Sequence, residues 1–335
     1  MINVAVIGIG YWGPNLVRNF IANPKTHINT CCDLNQERLN FIHRFYPSLK
    51  TEKDYRKIIK DPNIDLIAIC TPVFSHYEIA KAALNEGKHV LIEKPMTSKS
   101  EDAEDLINLA EKKGLRIFVD HTFVFTGAVR KMKELIENDD IGDLYYFDSV
   151  RVNLGLFQHD VNVLWDLAPH DISIMHFLLS QQPESVVANG AAHLDNGQED
   201  VAYLTVYYPN NLIAHINVNW LSPVKIRQTL LAGTKKMIAW DDNQPSEKIL
   251  VYDKGVEVVQ TVNQVYHMLV QYRTGDMYAP KIDSTEALTT EINHIVNVIE
   301  NNSKSDADGH AGWMVVKILE AADQSLKQRG KEIKF

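Results

Sequence analysis

Asp166 and His170 stand four residues apart in Val163-Leu164-Trp165-Asp166-Leu167-Ala168-Pro169-His170-Asp171. On a helix that spacing puts carboxylate and imidazole on one face. A neutral imidazole can take the proton of a hydroxyl, and the carboxylate can orient the ring or bind the hydroxyl-bearing molecule. The same spacing also suits an acid complementing the helix dipole beside a packed histidine, so both readings stand at this point. Lys94 offers a second chemistry. It sits in Glu93-Lys94-Pro95, directly after the apolar run His89-Val90-Leu91-Ile92. An ammonium placed there can hold a hydroxyl and stabilise the alkoxide that forms as hydride leaves. Taken alone, the tripeptide is more simply a lysine in a surface turn.

A third group of residues would hold the acceptor of such a hydride. Gly8-Ile9-Gly10-Tyr11-Trp12-Gly13 follows the strand-like run Ile2 to Ile7 and precedes a helical pattern from Asn15 to Ile21. Gly8 permits a tight turn, Gly10 lets backbone approach a pyrophosphate, and Gly13 lets helix and strand pack closely. Tyr11 and Trp12 lie in the same turn. A second strand, Ile28 to Cys32, ends at Asp33, 20 residues past Gly13. That acid can accept both ribose hydroxyls of an adenosine and repels a 2′-phosphate. The cofactor expected is therefore NAD, with NADP disfavoured.

These groups need elements to carry them. Apolar strands alternate with amphipathic helices through the first 120 residues or so. Leu66-Ile67-Ala68-Ile69-Cys70 reads as a strand buried on both faces, ended by Thr71-Pro72. Ser75 to Asn85 reads as a helix, His89 to Ile92 as a strand, and a further helix runs to Lys113 and stops at Gly114. Arg116 to Val119 is another strand. Ligands of such sheets bind past the carboxyl ends of the strands. Thr71, Pro72, Glu93, Lys94 and His121 fall there, and His76 begins the helix after Thr71-Pro72. Beyond about residue 121 the pattern changes to helix Gly127 to Asn138, strand Leu144 to Asn153 and helix Leu167 to Leu179. Consecutive strands follow: Val186 to Ala188, Val201 to Tyr208, Leu212 to Trp220, Gln228 to Ala232, Lys236 to Trp240, Ile249 to Tyr252 and Val256 to Val262. Pro209-Asn210-Asn211 marks a hairpin turn. Two helices close the chain, Thr285 to Glu300 and Gly312 to Lys327. The fold class expected is α/β followed by α+β. A doubly wound parallel sheet spans 1–121, and 122–335 is a second domain with a large, mostly antiparallel open sheet. Such a sheet has a second face to cover, and a second copy of the chain is the usual cover.

Bulk properties narrow the classes. The chain has 335 residues, 45% hydrophobic and 23% charged, with a net charge of −9. That balance argues against non-specific nucleic-acid or anionic-membrane binding. No apolar run approaches the ~20 residues of a membrane span. The sequence enters a strand at once, so no signal peptide is expected. Cys31, Cys32 and Cys70, an odd number with no C-x-x-C, read as buried free thiols of a cytoplasmic protein. No Cys/His spacing suggests a metal.

With its glycine-rich turn, Glu93-Lys94-Pro95 and Asp166-x-x-x-His170 in a following domain, the chain resembles the glucose–fructose oxidoreductase/inositol dehydrogenase/MocA family over essentially its whole length. The resemblance implies a Rossmann domain, an NAD cofactor and a catalytic group of Lys94, Asp166 and His170. The histidine would act as acid/base and the lysine would position the hydroxyl or carbonyl. It also implies a C-terminal sheet that forms homodimers or homotetramers. The wording around Gly10 to Phe20 and Trp165 to Asp171 is similar to members of nucleotide-sugar and surface-polysaccharide pathways, which act on a sugar carbon, often C3 of a UDP- or dTDP-sugar. A free sugar or polyol dehydrogenase, an NAD-assisted glycosidase or lyase, and a non-catalytic NAD-binding regulator are the alternatives. Many members carry glycine two residues before the histidine, where this chain has Ala168-Pro169. Proline is best tolerated in a first turn, so the helix is expected to start near Asp166.

Substrate-side candidates are Arg151, Asn153, Asn162, Lys225, Arg227 and Tyr278. Arg151 and Asn153 alternate on one strand and face one way. Lys225 and Arg227, after Trp220-Leu221-Ser222-Pro223, can bind a diphosphate. Tyr278, in Tyr278-Ala279-Pro280, is expected in a long loop bordering the pocket.

Overall fold

The computed structural model describes residues 1–155, 161–194, 197–259 and 269–335. The chain divides into two compact units, one of Met1–Thr126 with Thr285–Glu320, the other of Gly127–Ser284 with Ala321–Phe335.

The first unit alternates strand and helix. Its elements run β1 (Ile2–Ile7), α1 (Gly13–Ala22), β2 (Thr26–Cys32), α2 (Gln36–Phe45), β3 (Lys50–Glu52), α3 (Tyr55–Ile59), β4 (Leu66–Ile69), α4 (His76–Asn85), β5 (His89–Glu93), α5 (Ser100–Lys113) and β6 (Ile117–Asp120). The strands form one parallel sheet in the order β3-β2-β1-β4-β5-β6. The order reverses between β1 and β4, which makes the crevice past their carboxyl ends the switch point of the sheet. Val4, Val6, Leu66, Ala68 and Leu91 are wholly buried, as strands covered on both faces require. Cys31 and Cys32 lie in this core as free thiols, and burial pushes both up to about 12, which keeps them unreactive.

The second unit runs α6 (Gly127–Glu137), β7 (Leu144–Leu154), α7 (Val163–Leu179), β8 (Ser185–Ala191), β9 (Val201–Tyr207), β10 (Ile213–Asn219), β11 (Leu221–Gly233), β12 (Met237–Asp241), β13 (Ile249–Val259) and β14 (Leu269–Tyr278). After α8 (Ala287–Asn301) and α9 (Gly309–Lys327), β15 (Ile333–Lys334) joins the same sheet. The order is β14-β13-β12-β11-β7-β10-β9-β8-β15, antiparallel except where β10 pairs parallel with β7. Along β9 and β10 buried and less buried residues alternate, so one face is packed and the other open. Phe147, Ala188, Leu204, Val206, Ala214, Ile216 and Val218 fill the packed face.

Several boundaries differ from the expectation, each for a local reason. α8 groups with the parallel sheet although it follows the second sheet in sequence, because Leu288, Ile292, Ile295, Val296 and Val298 pack into the cluster of Leu16, Val17 and Phe20. The region expected as one domain, 122–335, therefore contributes 285–320 to the first unit. α7 starts at Val163 rather than near Asp166, since Asn162 caps it by accepting the backbone N–H of Trp165 at 3.2 Å. Pro169 thus lies inside the helix instead of in its first turn. β11 extends back to Leu221, which puts Lys225 and Arg227 on a strand. Tyr278, expected in a loop, ends β14 and pairs with Val251 of β13. Of the strand expected over Val256 to Val262, the last three residues lie outside the described residues.

Candidate active site

In the first unit the glycine turn is fixed by contacts that only glycine allows. Gly8 has φ +96°, and a Cβ there would stand 2.5 Å from the Cys70 carbonyl oxygen. A Cβ on Gly13 would strike the carbonyl oxygen of Gly8, whereas one on Gly10 would meet nothing closer than the Arg38 guanidinium at 3.5 Å. Strand and helix are thus clamped at Gly8 and Gly13 while the backbone at Gly10 stays open. Trp12 caps α1 without a side-chain bond to its first turn, and Tyr11 is 92% exposed. Backbone N–H groups at a helix start attract phosphate.

Asp33 is anchored to that turn. Its Oδ2 accepts the backbone N–H of Ile9 at 2.7 Å and its Oδ1 that of Asn35 at 2.8 Å. A buried carboxylate at the end of β2, held against the glycine turn, has lone pairs left for two hydroxyls. The Arg38 guanidinium lies 3.7 Å from the same Oδ2 and is half exposed. These residues fit the adenosine and pyrophosphate of a dinucleotide.

The loops after β4 and β5 are joined by His76. Its Nε2 meets the Thr71 carbonyl at 2.7 Å and its Nδ1 the Pro95 carbonyl at 3.0 Å. The ring is fully buried, and burial pushes its pKa down against the backbone bonds that raise it. A neutral ring carries one N–H, so His76 donates to one of these two carbonyls and packs against the other segment. Ser75 donates its hydroxyl to Thr71 Oγ1 at 2.7 Å. The backbone N–H of Lys94 donates to the Glu93 carboxylate, and the Lys94–Pro95 peptide is cis. Both side chains are half-buried. His121, just past β6, is buried.

In the second unit α7 carries Asp166 and His170, both half-buried. Trp220, buried at the end of β10, donates its indole N–H to Asp166 Oδ2 at 2.9 Å. One turn earlier the Asn162 amide donates to Glu199 and Asp323, and the Trp165 indole N–H donates to Asp323 at 2.8 Å. The packed face of the sheet under α7 holds an ion pair. Arg151 Nε donates to Asp171 Oδ2 at 2.6 Å, and Ser149 donates to Asp171 Oδ1 at 2.7 Å. Arg227 lies opposite Arg151 in register, half-buried, 3.6 Å from Asp242. Burial, then the charge of Arg151, pushes its pKa down. Asn153 is half-buried near the end of β7, Lys225 is exposed, and Tyr278 is 40% exposed.

The sequence did not point to Trp220, Asp171, Asp323, Asp120 or Arg38. Their partners are far away in sequence, or, for Arg38, the residue reads as one more polar position on an exposed helix. Among the described residues there is no His, Cys, Asp and Glu group able to hold a metal, and no helix long and apolar enough to cross a membrane.

Residues 2–121 match the family described as oxidoreductase family, NAD-binding Rossmann fold, and residues 129–239 match the GFO/IDH/MocA C-terminal domain. The chain belongs to the GFO/IDH/MocA family, and it is an oxidoreductase whose first unit is an NAD-binding Rossmann fold. It is 22% identical to the myo-inositol 2-dehydrogenase of Thermotoga maritima, over 97% of this chain and 96% of that one. It is 26% identical to the UDP-N-acetylglucosamine 3-dehydrogenase of Acidithiobacillus ferrooxidans, over 76% of each. The solved structure of that enzyme, GnnA, shares the fold with a TM-score of 0.80 at 22% identity, covering 97% of both chains.

Proposed function

We propose that this chain transfers hydride between NAD and a secondary-alcohol carbon of a sugar, and that the sugar is carried on a nucleotide. The observation that carries the chemistry is the pair on α7. Trp220 holds Asp166 by its carboxylate, and His170 follows one helical turn later on the same face. In this reading His170, neutral, takes the hydroxyl proton in oxidation and returns it in reduction. Asp166 orients the imidazole or the sugar. Lys94 stabilises the negative charge that develops on the oxygen. NAD supplies the hydride acceptor, held by Gly8, Gly10, Tyr11, Trp12, Gly13 and Asp33, with Thr71, Pro72, His76, Glu93 and His121 shaping the nicotinamide side. Asp33 favours NAD over NADP. The residues serve both directions by microscopic reversibility.

The nucleotide rests on Lys225 and Arg227, two cations on one strand, and on the likeness to a UDP-N-acetylglucosamine 3-dehydrogenase. Asn153 and Tyr278 are the remaining substrate contacts proposed. Arg151 and Asn162 act on the substrate only through the strand and helix they fix. A second reading, a free polyol or sugar, is favoured by one observation. Arg151 is committed to Asp171, and Arg227 lies beside Asp242, which leaves less positive charge for a diphosphate. The open face of the larger sheet, with Tyr203 and Leu230 exposed, is proposed as the contact of a homodimer or homotetramer.

The deciding experiment follows NADH with purified protein and a panel of UDP- and dTDP-sugars beside inositols and free sugars. Turnover of one nucleotide sugar, with KM raised in Lys225→Ala and Arg227→Ala, supports the first reading. Turnover of a polyol with KM unchanged in both variants supports the second.

A further inference from the structure

Helix α8 brings one acid into the interior of the first unit. Glu291 is 1% exposed, on a helix whose other buried residues are apolar. The helix packs on the turn Thr122–Phe125 that follows β6. At the end of β6, Asp120 is equally buried and lies in register with Glu93 of β5. Asp120 stands within hydrogen-bonding reach of Glu291, and Glu93 is close enough for its charge to act on it.

Asp120 accepts hydrogen bonds from two side-chain donors. The Trp12 indole N–H donates to Oδ2 at 2.5 Å, and the Thr122 hydroxyl donates to Oδ1. Trp12 stands between Gly10 and Gly13, so this bond runs from β6 to the cofactor loop. Glu291 is less well supplied: among the described residues neither of its oxygens meets a donor in good hydrogen-bond geometry, and only the Thr122 hydroxyl and the Asp120 carboxyl act on it at close range. Burial, together with the charges of Asp120 and Glu93, pushes the Glu291 carboxyl well above the usual range. Burial raises Asp120 as well. Two buried carboxyls side by side do not both ionise, and one proton between them satisfies both.

We propose that Glu291 is a positioning residue for the cofactor loop, donating the proton it carries to Asp120 and so fixing the carboxylate that holds Trp12. A protonated Glu291 gives Asp120 a further donor and leaves its charge for the indole. Helix α8, distant in sequence, then takes part in setting the loop at which the pyrophosphate is read. This inference rests on the reading of Gly8 to Gly13 as the NAD site. Glu291 touches neither cofactor nor substrate in it, and its effect passes through Asp120 and Trp12.

The test uses the full chain and measures NAD affinity by calorimetry without substrate. A wild-type protein that does not bind NAD defeats the cofactor reading itself, apart from any role of Glu291. Glu291→Gln keeps a donor toward Asp120, and its Kd for NAD is expected to stay within about twofold of wild type, well short of a lost hydrogen bond. Glu291→Met removes the donor at similar volume. It is expected to weaken NAD about tenfold, the scale of one charge-assisted bond. The Trp12 indole resonance, assigned through Trp12→Phe, should move in Glu291→Met and stay in Glu291→Gln. In a Trp12→Phe background the Glu291→Met change should lose most of its effect on Kd, which a general loosening of the fold would not do. A Glu291→Met protein with wild-type Kd and an unmoved indole signal overturns the proposal, as does a Glu291→Gln protein as weak as Glu291→Met. If Glu291→Met does not fold, the infrared difference between wild type and Glu291→Gln decides. A protonated-carboxyl stretch present only in wild type supports the proposal, and its absence overturns it.

Discussion

Trp220 donates its indole N–H to Asp166 across 54 residues of sequence, at 2.9 Å. The bond joins the end of β10 to the first turns of α7 and restrains the carboxylate. Replacing Trp220 by Phe keeps the ring and removes the donor. If Asp166 orients a reacting group, kcat should fall about tenfold to a hundredfold, the effect of a small misplacement in a positioned site. The KM for NAD should not move, because Asp33 and the glycine turn are untouched. Steady-state kinetics with both substrates varied would check the split.

Asp33 governs the choice of cofactor. Its carboxylate is fixed by Ile9 and Asn35, with Arg38 close behind it at 3.7 Å. Asp33→Ser should raise the KM for NAD about tenfold through loss of charge-assisted bonds. The same change should lower the KM for NADP, since Arg38 can then meet a 2′-phosphate without the competing carboxylate. The ratio of kcat/KM for the two cofactors, measured in wild type, Asp33→Ser and Asp33→Ser/Arg38→Ala, checks both halves.

The buried pair Arg151–Asp171 is structural. Asp171→Asn leaves a buried guanidinium without its counter-charge and should cost about 3–5 kcal/mol. The double change Arg151→Met/Asp171→Leu removes both charges and should recover most of that loss. Chemical denaturation of the three proteins is the measurement.

How much of this was legible in the sequence depends on how far the cause lies from the residue. The parallel sheet was legible because runs such as Leu66 to Ile69 are apolar on both faces, and the glycine turn because its spacing stands between a strand and a helix, although the contact that demands glycine at Gly8 comes from Cys70, far along the chain. The start of α7 was not, because Asn162 caps it while its amide is held by Glu199 and Asp323. Those bonds hold the start of the helix well before Pro169, which sequence alone would place in the first turn. The membership of α8 in the first unit was hidden for the same reason: its periodicity gives an apolar face but not the core that receives it. Of the candidate site, Asp33, Lys94, Asp166 and His170 could be picked out by motif. Trp220 and Arg38 acquire meaning only from contacts made on folding.

His76 gives a pH dependence to stability. Burial lowers its folded-state pKa from the ordinary 6.5. The unfolded chain then binds the proton more readily. Its contribution is present above the unfolded value and is lost as pH falls from there through the folded one. His76→Gln should flatten that part of the stability profile. Denaturation midpoints of wild type and variant, taken from neutral to acidic pH, should converge on the acid side. Midpoints that stay parallel would show that the ring does not stay neutral as described.

The measurement closest to the central claim is the pH dependence of kcat/KM for NADH formation on the best nucleotide sugar or polyol, in wild type, His170→Ala and Lys94→Ala. The account expects an acidic limb in wild type from an essential neutral imidazole, and its disappearance in His170→Ala with turnover reduced by about a hundredfold or more. Lys94→Ala should lower the rate while keeping that limb. Wild-type turnover with either variant, or an unchanged acidic limb in His170→Ala, would contradict it.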